Sequence, residues 1–400
     1  MIDFSLTDDQ QRIVELAREF GREVWGPAEV ALDRLADPAD VFASAIWRDA
    51  MAQAFSLGFH KMNLPEYAGG LGLDPQTIGL VWEELARHGV GLTASLVAGS
   101  VVPALIMFLA GHDRALVERY VEPFCADETG TWLTGWGSSE PAIGSDGKNY
   151  EDRSVHHHTI ATPVADGFRL SGAKSAFVSN GGVARVLAVF ACIDPAQGLR
   201  GSGMFIVDGD APGLSRGVAE NRLGLRALNQ AAISLDDVHV PAGHLIFPPG
   251  DAYPMLHRAI MTVGNLATGY LAVGVMRAAY EDALAYARER VQWGRPIIEH
   301  QLVARKLFQA RTAIESARGL LWRGSWHATQ AFPGDLVTSV SAKILATSLA
   351  VRHTATMVEV LGGYGITRDN RLEKAMRDAP LLTIMDGTND TLMMEVMHAL

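Results

Sequence analysis

The chain has 400 residues, 48% apolar and 20% charged, enough for two or three packed subdomains of ordinary globular composition. Its net charge of −11 excludes a generic nucleic-acid binder, since that binding rests on neutralising phosphates with Lys and Arg. Two cysteines, Cys125 and Cys192, stand in no metal-like spacing and predict no disulfide framework, which fits a reducing cytoplasm.

The N-terminus, MIDFSLTDDQ, is polar and acidic and reads as neither a signal nor a transit peptide. Thr7 to Gln10 has the capping-box pattern, and Ile13, Leu16, Ala17, Phe20 and Val24 recur at helical spacing. Trp25-Gly26-Pro27 is expected to close that helix. A turn-rich stretch from Pro65 to Pro75 precedes a second helix carrying Ile78, Val81, Trp82 and Leu85. The apolar stretch from Leu96 to Leu109 is broken by Gly99, Ser100 and Pro103, so no membrane span is expected. From Trp132 to about Ile246 the pattern changes to short β-branched and aromatic runs: Val186 to Ile193, Met204 to Val207, and the alternating Ile233, Leu235, Val238 and Val240. Helical periodicity returns near Ala252, with helices marked by Leu266 to Arg277, Leu302 to Ala310 and Val340 to Val351. The order helices, strands, helices implies an α+β protein of segregated subdomains: a helical domain over 1–130, a β-barrel-like or sandwich domain over 131–248, and a helical-bundle domain over 249–400.

Four stretches carry chemical residue types. Trp136 to Asp146 sets small hydroxyl residues among glycines, which lets a backbone approach a flat or phosphorylated ligand, or simply makes a turn. Lys174 to Gly182 places Phe177 and Ser179 on one side of a strand. Arg290-Val291-Gln292-Trp293-Gly294 ends a long helix, where Arg can grip a pyrophosphate or complement the helix dipole. Leu361 to Gly365 and Met385 to Asp390 set a glycine run before an acid-Gly-Thr turn. His156, His157 and His158 alternate faces if extended and cannot all converge, so no metal is expected. In the same segment Lys148, Arg153 or a His would meet the phosphates of an anionic ligand at a pocket mouth, or lie on a solvated loop.

In this order, and across nearly the whole chain, the four stretches resemble the acyl-CoA dehydrogenase family. The resemblance implies a fold ending in a C-terminal four-helix bundle and FAD in a crevice between the β domain and that bundle. Trp136, Ser138 and Ser139 would line the flavin, with Phe177 and Ser179 on its other side. Thr388 and Asp390 would also contact FAD. Arg290 and Trp293 resemble the family's Arg-x-x-Phe-Gly motif, which reaches the FAD of a neighbouring subunit. Gln301, Gly362 and Gly363 would act across the same interface, implying a homo-oligomer, typically a dimer of dimers. The implied reaction desaturates an acyl-CoA. A carboxylate takes the α-proton while the β-hydrogen leaves as hydride. Electrons would pass to electron-transfer flavoprotein.

Most of the family has Glu before Gly-Thr; here it is Asp386. The family's second base position falls at Gly264, which has no side chain, so Asp386 is the carboxylate at either position. Met385 stands for a common Tyr, and Asn265 for a frequent Arg. Ser145, Gly387, Met385, Gly264 and Asn265 would meet the substrate. Asp is one methylene shorter than Glu. That shift points either to ordinary 2,3-desaturation at closer approach or to variant chemistry: a cyclic acyl-CoA, 1,4-desaturation, elimination, monooxygenation, or a non-catalytic flavin-binding role.

Overall fold

The computed structural model describes residues 5–399, with side chains through Met397. The first four residues of the segment read as free of a targeting signal lie outside the described residues. The chain opens with helices α1 (Asp8–Phe20), α2 (Gly26–Asp33), α3 (Pro38–Ala43), α4 (Ala45–Ser56), α5 (Pro75–Gly99), α6 (Val101–Ala110), α7 (Arg114–Leu116) and α8 (Glu122–Ala126). The capping box forms as the sequence predicts: the Thr7 hydroxyl accepts from Gln10 N–H, and the Gln10 side chain accepts from Thr7 N–H. Trp25-Gly26-Pro27 does not close the helix. A π-helical turn over Gly21–Trp25 carries it into α2, and Pro27 sits in the first turn, where its missing N–H costs nothing.

Helix α5 breaks at Gly89 (φ −156°, ψ 91°). The break frees backbone donors, and the buried Glu29 carboxylate accepts from Gly91 N–H at 3.0 Å and Leu92 N–H at 2.8 Å. Glu29 also accepts from Lys374, which donates in turn to Asp378; Asp378 accepts from Leu225 N–H. One buried network thus ties the N-terminal helices, the C-terminal helices and a β-region loop together.

The middle region holds β1 (Thr134–Gly137), β2 (Ile160–Val164), β3 (Gly167–Ser179), β4 (Val186–Cys192), β5 (Ser202–Asp208), β6 (Leu214–Arg216), β7 (Gln230–Pro241) and β8 (Leu245–Phe247). They form one sheet in the order β6-β7-β3-β2-β4-β5-β8, with β1 parallel to β4. The two halves meet at a single pair, Ile160 with Cys192, and close over a shared core that includes Leu170, Leu187, Phe205, Ile233 and Val240.

The rest is helical apart from a small hairpin: α9 (Tyr253–Glu289), strands β9 (Val291–Gln292) and β10 (Arg295–Pro296), then α10 (Gln301–Gln330), α11 (Leu336–Leu361), α12 (Leu372–Leu382) and α13 (Asn389–Ala399). Helices α9, α10, α11 and α12 pack as a bundle, and α5 lies along α9 so that Ala86, Val90 and Ala94 join the bundle's core. The expectation about apolar runs needs correction. Three helical stretches, Pro75–Ala110, Tyr253–Glu289 and Leu336–Ile366, are long and apolar enough to cross a membrane by length and composition. Half or more of each apolar window is buried in the fold, so that composition serves helix packing.

Candidate active site

Asp386 lies in the loop between α12 and α13. It adopts φ 53°, a left-handed conformation uncommon outside glycine, and Gly387 follows at φ 102°. Two such residues in succession turn the chain sharply. Behind them Thr388 caps α13: its hydroxyl accepts from Thr391 N–H at 3.3 Å, and its carbonyl accepts from Leu392 N–H. The buried Lys343 on α11 fixes the loop, donating to Thr383 O, Gly387 O and Asn389 Oδ1 at 3.3, 2.7 and 2.9 Å. Backbone strain at Asp386 is therefore imposed by a helix cap on one side and a buried ammonium on the other.

The Asp386 carboxylate points at α9. Thr268 donates its hydroxyl to Oδ2 at 2.7 Å. One turn earlier Gly264 presents bare backbone, and the nearest atoms a β-carbon there would meet are those of the carboxylate, at 3.5 Å. Asp386 is an exposed residue, but its carboxyl is turned against α9, and burial of that group is the largest influence and pushes it above the ordinary aspartate range. Thr268, Lys343 and Lys148 pull in the opposite direction. A carboxylate with a raised pKa, held by one hydroxyl, is suited to accept a proton from a weak carbon acid.

The other residues named from the sequence divide into two groups. Ser139 O accepts from Ser175 N–H at 2.9 Å, so the segment after β1 runs beside the end of β3. Phe177 is 63% exposed and Ser179 half-buried, while Val178 between them is in the core. Trp136 is partly exposed and meets Phe190 edge to face. An exposed ring, a tryptophan and hydroxyls on adjacent segments suit a flat heteroaromatic group with a polar rim. Beneath them Lys174 donates to Glu140 at 2.6 Å, and Glu140 also accepts from His158 N–H and Thr159 N–H. Burial pulls Lys174 down and the Lys174 charge holds Glu140 low, a locked pair that joins two of the four stretches.

Arg290 and Trp293 stand at the far end of α9, roughly 40 Å from Gly264 at about 1.5 Å per helical residue. Trp293 (φ 55°) and Gly294 (φ 77°) form the two-residue tip of the β9–β10 hairpin, and Trp293 is 95% exposed. Gln301 opens α10 and is exposed, as are Gly362 and Gly363 after α11, where Tyr364 stacks on Tyr286 of α9. Within one chain this group is separate from Asp386. Ser145 and Asp390 are exposed; Met385 is half-buried. Asn265 is fully buried and donates to Met261 O of its own helix.

Two expectations about the loop after Asp146 are revised. Lys148 is not on a solvated loop: its side chain is half-buried and its ammonium packs against Gly387. Of the three histidines, His157 is a core residue, stacked on Phe190 and bonded to Ser202 Oγ at 2.9 Å. No cluster of metal-ligating side chains occurs among the described residues. Sequence reasoning missed Thr268 and Lys343. The signal for Thr268 was its place one turn beyond Gly264; for Lys343, a lone lysine in an apolar helical run.

Three family models match in succession: the acyl-CoA dehydrogenase N-terminal domain over residues 7–128, the middle domain over 135–238 and the C-terminal domain over 256–400. A short-chain-specific acyl-CoA dehydrogenase of Megasphaera elsdenii is 30% identical over 98% of both chains. The chain belongs to the acyl-CoA dehydrogenase family. A cyclohexane-1-carbonyl-CoA dehydrogenase of Geobacter metallireducens is 31% identical over 96% of both chains. The structure of butyryl-CoA dehydrogenase from Megasphaera elsdenii superposes with a TM-score of 0.89 at 29% identity, covering 100% of this chain and 99% of the other. FAD is the family's cofactor, and the groups around Trp136 and Phe177 fit its ring system.

Proposed function

We propose that this acyl-CoA dehydrogenase desaturates an acyl-CoA thioester between its α- and β-carbons, with Asp386 as the base. The observation that carries the reading is the Asp386 carboxylate, crowded by protein, oriented by Thr268 and facing the bare backbone of Gly264. Asp386 takes the α-proton, and the left-handed loop fixes where its carboxylate meets the substrate. Trp136, Ser138, Ser139, Phe177, Ser179 and Thr388 bind the flavin; Ser145, Met385 and Gly387 line the thioester channel. FAD, when bound, would supply the hydride acceptor, with electron-transfer flavoprotein as the onward electron acceptor. The distance of Arg290 and Trp293 from Asp386 supports a homo-oligomer in which they, with Gln301, Gly362 and Gly363, hold a neighbour's cofactor.

The test is anaerobic bleaching of the flavin by a panel of acyl-CoAs. Asp386→Asn is expected to retain FAD and Thr268's hydrogen bond while losing about 10²–10⁴-fold in turnover. Full turnover in that variant, or no bleaching of the native protein by any thioester, overturns the reading.

A second reading concerns the acyl group. Gly264 sets no side chain between α9 and a short carboxylate, an arrangement that favours a substrate branched or cyclic at the α-carbon. The likeness to a cyclohexane-1-carbonyl-CoA dehydrogenase supports it, and 1,4-desaturation of a ring is the variant chemistry it would allow. Faster bleaching by straight-chain than by ring-bearing thioesters would count against it.

A further inference from the structure

Helix α9 meets the Asp386 carboxylate with two residues one turn apart, Gly264 and Thr268, and they do different things. Gly264 brings no side chain; the nearest atoms a β-carbon there would meet are Asp386 Cγ and Oδ2 at 3.5 Å and Oδ1 at 3.8 Å. Thr268 is fully buried and donates its hydroxyl to Oδ2 at 2.7 Å. That is an unusual use of a helical threonine in this protein. Thr262 on the same helix, and Thr347 and Thr354 on α11, are equally buried, and each donates to the carbonyl four residues back, at 2.8, 2.9 and 2.8 Å. The corresponding carbonyl for Thr268 is that of Gly264. A hydroxyl has one proton and serves one acceptor, and here it is directed to the carboxylate instead.

The carboxylate is asymmetric as a result. Among the described residues, Oδ2 accepts from Thr268 and Oδ1 accepts no hydrogen bond. The torsion that turns a carboxyl group is broad, and a half-turn exchanges its two oxygens. The neighbouring cations do not fix that torsion. The Lys343 ammonium of α11 donates to Thr383, Gly387 and Asn389, and the Lys148 ammonium of the turn Ser145–Lys148 makes no hydrogen bond among the described residues. Both act on Asp386 through their charge alone. Glu395 of α13 stands behind Lys148, at 3.9 Å from its ammonium. The Thr268 bond is what sets the rotation of the carboxylate.

We infer that Thr268 is a positioning residue, fixing Oδ2 so that Oδ1 is the atom that takes the α-proton. The α C–H bond breaks, its proton passes to Oδ1, and its electron pair closes the α,β double bond while the β-hydrogen leaves as hydride to the flavin. Thr268 keeps its own proton. Its bond is strongest to the ionised carboxylate, so it opposes the burial that favours the neutral acid. The inference rests on the desaturase reading above and names the reacting oxygen within it.

The test compares flavin-loaded native, Thr268→Val and Thr268→Ser enzymes. Thr268→Val keeps the shape and removes the hydroxyl. It is expected to lower kcat about 10–10²-fold with KM within about threefold, and to move the acid limb of kcat/KM to higher pH. Thr268→Ser restores part of kcat and returns the limb toward its native position. In an Asp386→Asn background, Thr268→Val is expected to change turnover less than about twofold, because the base it positions is gone. Independently of turnover, the urea midpoint of Thr268→Val is expected to fall further below native at pH 8 than at pH 5, since the lost bond favoured the ionised form. Thr268→Ala, which sets no methyl against the carboxylate, repeats each measurement. Native kcat and an unmoved acid limb in both hydroxyl-free enzymes, or the same loss with and without the Asp386→Asn change, overturn the inference and leave the desaturase reading intact. A native enzyme that no thioester bleaches overturns both.

Discussion

Asp386 works against the stability of its own fold. Burial raises its pKa, so the folded protein prefers the neutral acid. The stability this gives is fully present below the unfolded aspartate pKa of about 3.9 and is lost as pH rises through the higher folded value. Catalysis requires the opposite state, the ionised base. The acid limb of kcat/KM is expected to have its midpoint above about 3.9, read from a pH–rate profile. Asp386→Asn is expected to be at least as stable as the native protein near pH 8, measured by denaturant unfolding of the holoenzyme. A midpoint below the ordinary range would remove the argument for a tuned base. The residue's position was legible because an acid-Gly-Thr turn is hard to explain by packing alone. Its surroundings were not, since Thr268 lies 118 residues away in sequence and local pattern carries no trace of such a contact.

Among the elements, α9 carries the most information. Its buried residues run from Tyr253 to Ala287, and it contacts α5, α10, α11 and α12. The strict order of helices and strands was readable because periods of 3.6 and 2 are local properties. The helix-ending role assigned to Trp25-Gly26-Pro27 failed because a π turn upstream absorbed the proline. A glycine in a helix interior costs about 0.5–1 kcal/mol relative to alanine, so Gly264 weakens α9 by propensity. Gly264→Ala adds a methyl in ordinary contact with the base. The variant is expected to gain about 0.5–1 kcal/mol in unfolding free energy while losing more kcat on ring-bearing than on straight-chain thioesters. Equal losses on both would show that the glycine serves the base alone.

For the whole molecule, five of the described histidines, His60, His157, His244, His257 and His353, are pushed toward the neutral form, each chiefly by burial. His60 and His257 are pushed down to about 4, and His157, facing Lys174, is also lowered. Their folded pKa values lie below the unfolded value of about 6.5, so the unfolded chain binds more protons between the two. The stability they contribute is fully present above about pH 6.5 and falls as pH drops toward about 4. Urea midpoints are expected to decline from pH 7 to pH 5; a flat profile would mean that these rings accept protons inside the fold. Nothing in the sequence marked these histidines as internal, because a ring on a strand or helix looks alike whether it packs inward or outward.

The length of α9 has one further consequence. If the Arg290 end of each chain serves a neighbour's cofactor, a protomer is half of two different sites. Defects in the two halves then belong to different complementation groups. An Asp386→Asn chain and an Arg290→Ala, Trp293→Ala chain, each inactive alone, would rescue one another when co-expressed, since a hybrid pair contains one site built entirely from unaltered parts. Random pairing in equal amounts would recover about a quarter of native activity. Two dead proteins that make a living one would show that the site is a property of the pair.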